Sequence, residues 1–277
     1  MTRQRLGRVV SYVVLVLIAL VGIAPFVYLL VLSFKSRLDI LTVPPTLHFD
    51  WSQVKANYSE VIHEEGYLTF VRNSVVVTGC STLIALAFGV PAGYAFSRLR
   101  FRGRENWAST ILSFRFMPPV AVAIPIYLLI RHIGLVNSYL GLILPYVAFS
   151  LPLVVWIMIG FFDEIPREVD EAAMVDGLTR PQVLVRVLLP LARPGLLVAA
   201  TFGVIFIWNE FMVGLYIINS QDKETIPIAA SSLLTVESPI NYNVAAAVGV
   251  FTVIPVLLFV IVVQRYIVRG ITAGAVR

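Results

Sequence analysis

Long stretches without Asp, Glu, Lys or Arg alternate along the chain with short basic or mixed connections, and that alternation predicts its elements. Val9 to Phe34, Asn73 to Ser97, His132 to Phe162 and Ser238 to Gln264 are free of all four charged residue types. About 20 apolar residues, each rising ~1.5 Å, cross a hydrocarbon core roughly 30 Å thick. The pattern predicts an all-α integral membrane protein with six transmembrane helices, over about 10–32, 72–96, 108–130, 139–161, 191–217 and 244–266. The third span carries Arg115, and the fifth is interrupted by Asn209 and Glu210. The first run is far longer than the ~7–15-residue core of a cleavable signal peptide, so it reads as a retained helix. No internal repeat is visible, and residues 1–277 read as one membrane domain.

Prolines fall in five of the six spans, at Pro25, Pro91, Pro118, Pro119, Pro125, Pro145, Pro152 and Pro255. Each removes a backbone donor, which a membrane helix tolerates where it packs on protein or lines a wet cavity. They equally fit the raised proline content of membrane helices in general. Gly89 and Gly93 form a small-xxx-small pair suited to close helix packing.

Composition agrees with the spans. Hydrophobic residues make up 58% of the chain and charged residues 13%, about half the soluble norm of roughly 25%. A soluble enzyme, a disordered chain and a nucleic-acid binder are excluded. The net charge of +5 is unevenly spread. With the first end inside, fourteen Lys and Arg fall in inner segments and six in outer ones, Arg115 completing the twenty-one. This bias places both termini on the cytoplasmic side of the membrane. Cys80 is alone, and His48, His63 and His132 are scattered, with His63-Glu64-Glu65 reading as a solvated loop. No Gly-x-Ser-x-Gly, His-Glu-x-x-His or Gly-x-x-x-x-Gly-Lys-Ser/Thr run occurs, so the sequence offers no catalytic residue, no metal site and no nucleotide-hydrolysing loop of its own. A carrier driven by an ion gradient would need an intramembrane carboxylate, and Glu210 is the one on offer; that is the alternative reading.

Three connections exceed plain turns: Lys35 to Val71 and Asn219 to Asn243 outside, and Asp163 to Pro190 inside. The inner one reads as two short helices. Pro166 suits a first turn, Glu168, Asp170 and Glu171 sit near the positive N-terminal end, and Gly177 stands where a left-handed cap is favoured. Thr179 and Gln182 have capping-box spacing, Pro181 lies in the next first turn, and Pro190 with Pro194 marks the exit. Val169, Ala172, Ala173 and Asp176 share one face at the 3.6-residue period, the alanines leaving room for a neighbour. A rigid amphipathic helix joined at both ends to spans can transmit a push from a soluble partner; a segment resting in the membrane interface is the competing reading.

Glu171-Ala172-Ala173, three residues, Gly177, nine residues and Val187-x-Leu189-Pro190 resemble the loop signature of ABC importer permeases, with Val187 in place of Ile. Asn57-Tyr58, Arg72-Asn73-Ser74, Phe101-Arg102-Gly103-Arg104, Phe116-Met117-Pro118-Pro119, Gly141-Leu142-Ile143-Leu144-Pro145, Trp208-Asn209-Glu210 and Thr272-Ala273-Gly274-Ala275-Val276 are similar to the carbohydrate-uptake branch, like the smaller membrane subunit of maltose transporters. The resemblance implies a type I importer permease fold in a bacterial inner membrane, paired with a second, different permease, two ATPase subunits and an extracytoplasmic solute-binding protein. ATP and Mg would be held by the ATPase, with no cofactor on this chain. It further implies that Glu168, Glu171, Ala172, Ala173, Asp176, Gly177, Leu189 and Pro190 form the ATPase-coupling loop, that the tail from Arg265 to Arg277 reaches the ATPase pair, and that the outer loops near Asn57 and 219–243 face the binding protein.

Two ionisable groups lie at depth. Arg115 is about 7 residues, roughly 10 Å, from its cytoplasmic end, and Glu210 about 19 residues, roughly 28 Å, from its own, so they are not expected to pair. Arg115 is expected to snorkel or to bond carbonyls freed by Pro118 and Pro119, and Glu210 to bond near the level of Arg72 and Asn73. A sugar passing through would want aromatic faces for ring carbons and amides or carboxylates for hydroxyls. Asn73, Phe116, Tyr127, Trp208, Asn209 and Glu210 have that chemistry.

Overall fold

A computed structural model describes residues 3–42, 50–63, 66–232 and 242–275. His48, Glu64, Glu65, positions 233–241 of the outer loop and the last two residues of the tail lie outside the described residues. The described helices are α1 Arg3–Ser33, α2 Arg37–Leu41, α3 Trp51–His63, α4 Tyr67–Arg98, α5 Arg104–Ser113, α6 Pro119–His132, α7 Tyr139–Asp163, α8 Arg167–Val175, α9 Arg180–Val183, α10 Leu189–Leu191, α11 Arg193–Trp208, α12 Met212–Ile217, α13 Ile226–Ser232 and α14 Tyr242–Ala275. Two compact units emerge, one of Met1–Leu68 with Ala230–Pro255, the other of Thr69–Ala229 with Val256–Arg277.

In the first unit, α1 runs with residues 9–28 exposed, as expected of a helix whose solvent is hydrocarbon, and buries only its last residue, Ser33. Its end is closed by a buried amide. Asn57 Nδ2 donates to the carbonyls of Ser33 at 2.9 Å and Lys35 at 3.0 Å, groups that a helix C-terminus leaves open. Asn243 Nδ2 donates in turn to Asn57 Oδ1 at 2.8 Å. Phe251 packs on Tyr58 and Tyr67 at centroid distances of 5.3 and 4.8 Å, so α3 and the start of α14 share an aromatic core.

The second unit has two apolar clusters. One joins Ala85, Val90, Tyr94, Val154 and Met158 of the spans to Ala173, Val183, Leu184 and Leu188 of the inner connection. The other holds Val77, Ile130, Leu142, Tyr146, Ile207, Val213 and Ile217. Between α4 and α7 the expected small-residue contact is present. A Cβ on Gly89 would lie 2.6 Å from Val154 Cγ1, and one on Gly93 would lie 2.8 Å from Met158 Cβ.

Among the described residues, four helices are long and apolar enough to cross alone: Val9–Ser33, Tyr67–Arg98, Tyr139–Asp163 and Tyr242–Ile261. The other two expected spans are broken. The continuous third helix over 108–130 is replaced by α5, a 3₁₀ turn at Phe114–Phe116, and α6, with the two arms at 97°. Met117 and Pro118 each precede a proline and take extended ψ angles of 124° and 130°, because the pyrrolidine ring crowds the helical conformation of the residue before it. The fifth span over 191–217 also divides. Arg180–Leu191 and Arg193–Trp208 meet at 83°, and the helix stops again at Asn209, with α12 starting at Met212. Pro190 and Pro194 flank the exit, as expected. A π turn over Leu184–Leu188 feeds into α10, where Pro190 occupies the first turn, and the break falls at Ala192. Pro194, in the first turn of α11, starts the new direction.

Candidate functional site

The inner connection folds as a short helix bolted to the ends of two spans. Helix α8 runs Arg167–Val175, so Pro166 and Asp176 flank it instead of belonging to it. Pro166 has ψ 140°, which its own ring permits and a helix does not. Gly177 has φ +90°, the left-handed conformation expected of it, and the Leu178 N–H reaches back to the Ala173 carbonyl at 3.1 Å. Gln182 Oε1 accepts the Thr179 N–H at 2.8 Å, the reciprocal half of the capping box. Each stop and start signal is local, and each is made.

The face buried by α8 is Asp170 with Ala173, so the expected face splits: Ala173 packs inward while Ala172 and Asp176 are exposed. Asp170, 6% exposed, meets Arg98 at the end of α4, with Nε 2.6 Å from Oδ2. The same guanidinium donates to the Ile165 carbonyl at 2.8 Å in the α7–α8 turn. Ser97 Oγ donates to Asp163 Oδ1 at 2.5 Å, and Arg167 donates to the Ser97 carbonyl at 3.4 Å. Two arginines and two aspartates thus form a neutral joint among three helix ends. The opposite surface of α8 is open. Glu168, Glu171, Ala172, Met174, Asp176 and Gly177 are exposed, with Val175 at 87%. A bare valine on a segment that also exposes three carboxylates has the chemistry to suit a small apolar slot with a basic rim. Leu189 is half-buried and Pro190 exposed, both beyond the π turn.

The intramembrane candidates divide by environment. Asn73 is 0% exposed and fully engaged, donating to the carbonyls of Asp222 at 2.9 Å and Glu224 at 2.8 Å and accepting from Tyr139 Oη at 2.7 Å. It holds the outer loop, helped by Ser74 Oγ, which accepts the Ile226 N–H at 2.8 Å. Glu210 does not bond at the level of Arg72 and Asn73. Its Oε1 accepts the Val213 N–H at 3.0 Å, because the break after Trp208 exposes the first donors of α12. Tyr146 of α7 lies in the field of the same carboxylate. Among the described residues Arg115 makes no carbonyl bond; its guanidinium lies over the Phe206 ring, 3.8 Å from the centroid. The kink at Pro118 turns α5 away and leaves the side chain beside α11.

Phe206, Asn209, Glu210, Phe211, Pro119 and Val120 line an open groove of about 530 Å³ where both broken spans meet. Asn209 is exposed there, although its Nδ2 donates to the Ile205 carbonyl at 2.7 Å. Phe116 is 80% exposed, Tyr127 half-buried and Trp208 buried. The structure therefore gathers Asn209 and Glu210, while Asn73 belongs to the outer loop's anchorage. Arg98 and Asp163 were visible in the sequence only as loop charges; what would have singled them out is their place at helix ends flanking an acidic helix.

The family of binding-protein-dependent transport system inner membrane components matches residues 85–273. The diacetylchitobiose uptake system permease protein of Streptomyces coelicolor is 31% identical over 277 residues, 100% of both chains. The trehalose/maltose transport system permease protein of Thermococcus litoralis is 30% identical over 279 residues, 100% of this chain and 99% of the relative. A solved bacterial ABC transporter involved in the import of the acidic polysaccharide alginate superposes with a TM-score of 0.80 at 25% identity, covering 96% of this chain and 98% of that one. The ion-coupled alternative finds no support in these relatives.

Proposed function

Since the chain belongs to the inner membrane components of binding-protein-dependent transport systems, we propose that it is one of two permease subunits of an ATP-driven importer for a carbohydrate or polyol. Its fold is that of the type I importer permeases, and it is a transport component, not an enzyme. Both termini face the cytoplasm. A second permease of different sequence completes the channel, an ATPase pair carrying ATP and Mg binds below, and a solute-binding protein delivers above. The observation that carries this reading is α8, a helix buried on one side against the span ends and open on the other. Closure of the ATPases moves α8. The apolar cluster running from Ala173 and Leu188 to Val154 and Val90 carries the movement into the spans. The passage then alternates between outer and inner access.

The relatives' names support a sugar as cargo, and the groove beside Asn209 supports it chemically, with the Phe206 and Phe211 rings and an amide within one opening. Copurification with the ATPase and the second permease, followed by ATPase assays with the binding protein and a panel of polyols, monosaccharides and oligosaccharides, tests the reading. One sugar class should raise hydrolysis and enter proteoliposomes only with ATP. Uptake driven by an ion gradient without ATP would overturn it.

A further inference from the structure

Helix α8 is covalently continuous with α7 and α9, but nothing covalent near it ties it to α4. We propose that the Arg98–Asp170 pair is the joint through which movement of α8 reaches the second span, making Arg98 a positioning residue for transport. The inference rests on the reading above, that α8 receives the ATPase's motion.

Both side chains of the pair are less than a tenth exposed, and the contact is 2.6 Å. One guanidinium holds the Asp170 carboxylate on α8 and the Ile165 carbonyl before it, so α8 cannot rotate or slide without breaking one of them. An apolar contact would adhere and still slip. A buried ion pair adds little net adhesion over a well-packed apolar pair, and what it supplies is register. Around it, Arg167 reaches the Ser97 carbonyl, Ser97 reaches Asp163, and the Tyr94 hydroxyl lies in the field of Asp170, Arg98 and Arg180. Of these, Arg167 joins the last turn of α4 to α8, and Asp163 joins the same turn to the end of α7. The membrane-side continuation is rigid, because Gly93 and Gly89 set α4 directly against α7.

Hydrogen exchange in the whole transporter, reassembled with its second permease and ATPase pair in nanodiscs, tests the joint without any solute. Binding of the non-hydrolysable analogue AMP-PNP should change exchange in both 167–175 and 92–98 of the wild type. In Asp170→Asn the response at 167–175 should persist while that at 92–98 falls by about an order of magnitude, the size of a typical coupling between sites. Arg98→Gln should do the same from the other side, and Asp170→Glu, which keeps the charge, should retain most of the response. A full response at 92–98 in Asp170→Asn or Arg98→Gln would overturn the proposal. If neither variant assembles, the wild type decides: the two segments must respond with one AMP-PNP midpoint, and separate midpoints would sink the joint. Failure of 167–175 to respond at all would instead count against the reading of α8 as the receiver.

Discussion

Asp170 and Glu210 are buried to nearly the same degree, 6% and 7% exposed, yet they are satisfied in opposite ways. Asp170 sits outside the bilayer and faces a full charge, Arg98. Glu210 sits where a span breaks, and its Oε1 serves a backbone N–H. The difference teaches what each is for. A carboxylate that answers a buried guanidinium cannot be neutralised without stranding that cation. One that answers a peptide dipole needs an oxygen, not a charge.

The largest expected effect breaks the first arrangement. Asp170→Ala leaves Arg98 buried and unpaired, which costs roughly 3–5 kcal/mol by the usual penalty for breaking a buried pair. Thermal unfolding of the purified complex should show it, and a shift no larger than that of exposed Glu171→Ala would refute the pairing. Gly177→Asp is next. A side chain at φ +90° costs ~1–2 kcal/mol, and the added carboxylate joins the acidic rim of α8, so uptake should uncouple from ATP hydrolysis. Normal uptake at normal expression would count against a coupling role for the end of α8. Glu210→Gln should be the mildest of the three, within about 0.5 kcal/mol, because the amide oxygen can still accept from Val213, whereas Glu210→Ala should cost about 1 kcal/mol. Equal losses in the Gln and Ala variants would mean that the charge itself matters.

The same contrast marks how far the sequence could be read. Helix α8 was legible because its signals are adjacent along the chain: Pro166, the acidic first turn, Gly177, then Thr179 with Gln182. The four uninterrupted spans were legible because hydropathy integrates over many residues. The breaks were not. Pro118–Pro119 announces a bend but not whether the chain bends by 20° or 97°, since that depends on what α6 packs against. The stop at Asn209 has no proline; it becomes intelligible only once Glu210 is seen taking the Val213 N–H. Arg98 with Asp170, and Asn73 with Asp222 and Glu224, join residues far apart in the chain, and no local period encodes such partners.

Glu224 supplies a third arrangement, and the smallest effect. It lies in the outer loop, its carbonyl held by Asn73 at 2.8 Å, and its Oε2 is buried without a hydrogen-bond partner, so it has neither Arg98's counterpart nor a peptide donor on that oxygen. Burial pushes its carboxyl up from the ordinary carboxylate range. The folded pKa then exceeds the unfolded value of about 4.3, so the folded chain binds this proton more tightly than the unfolded one. Its contribution to stability is complete below the unfolded pKa and is lost as pH rises through the folded one. Glu224→Gln keeps a neutral side chain of the same shape at every pH. The wild type should therefore lose Tm relative to the variant as pH rises from the unfolded pKa through the raised folded one. A constant difference across that range would mean that Glu224 has an ionised-state partner after all, and the contrast among the three carboxylates would shrink to two.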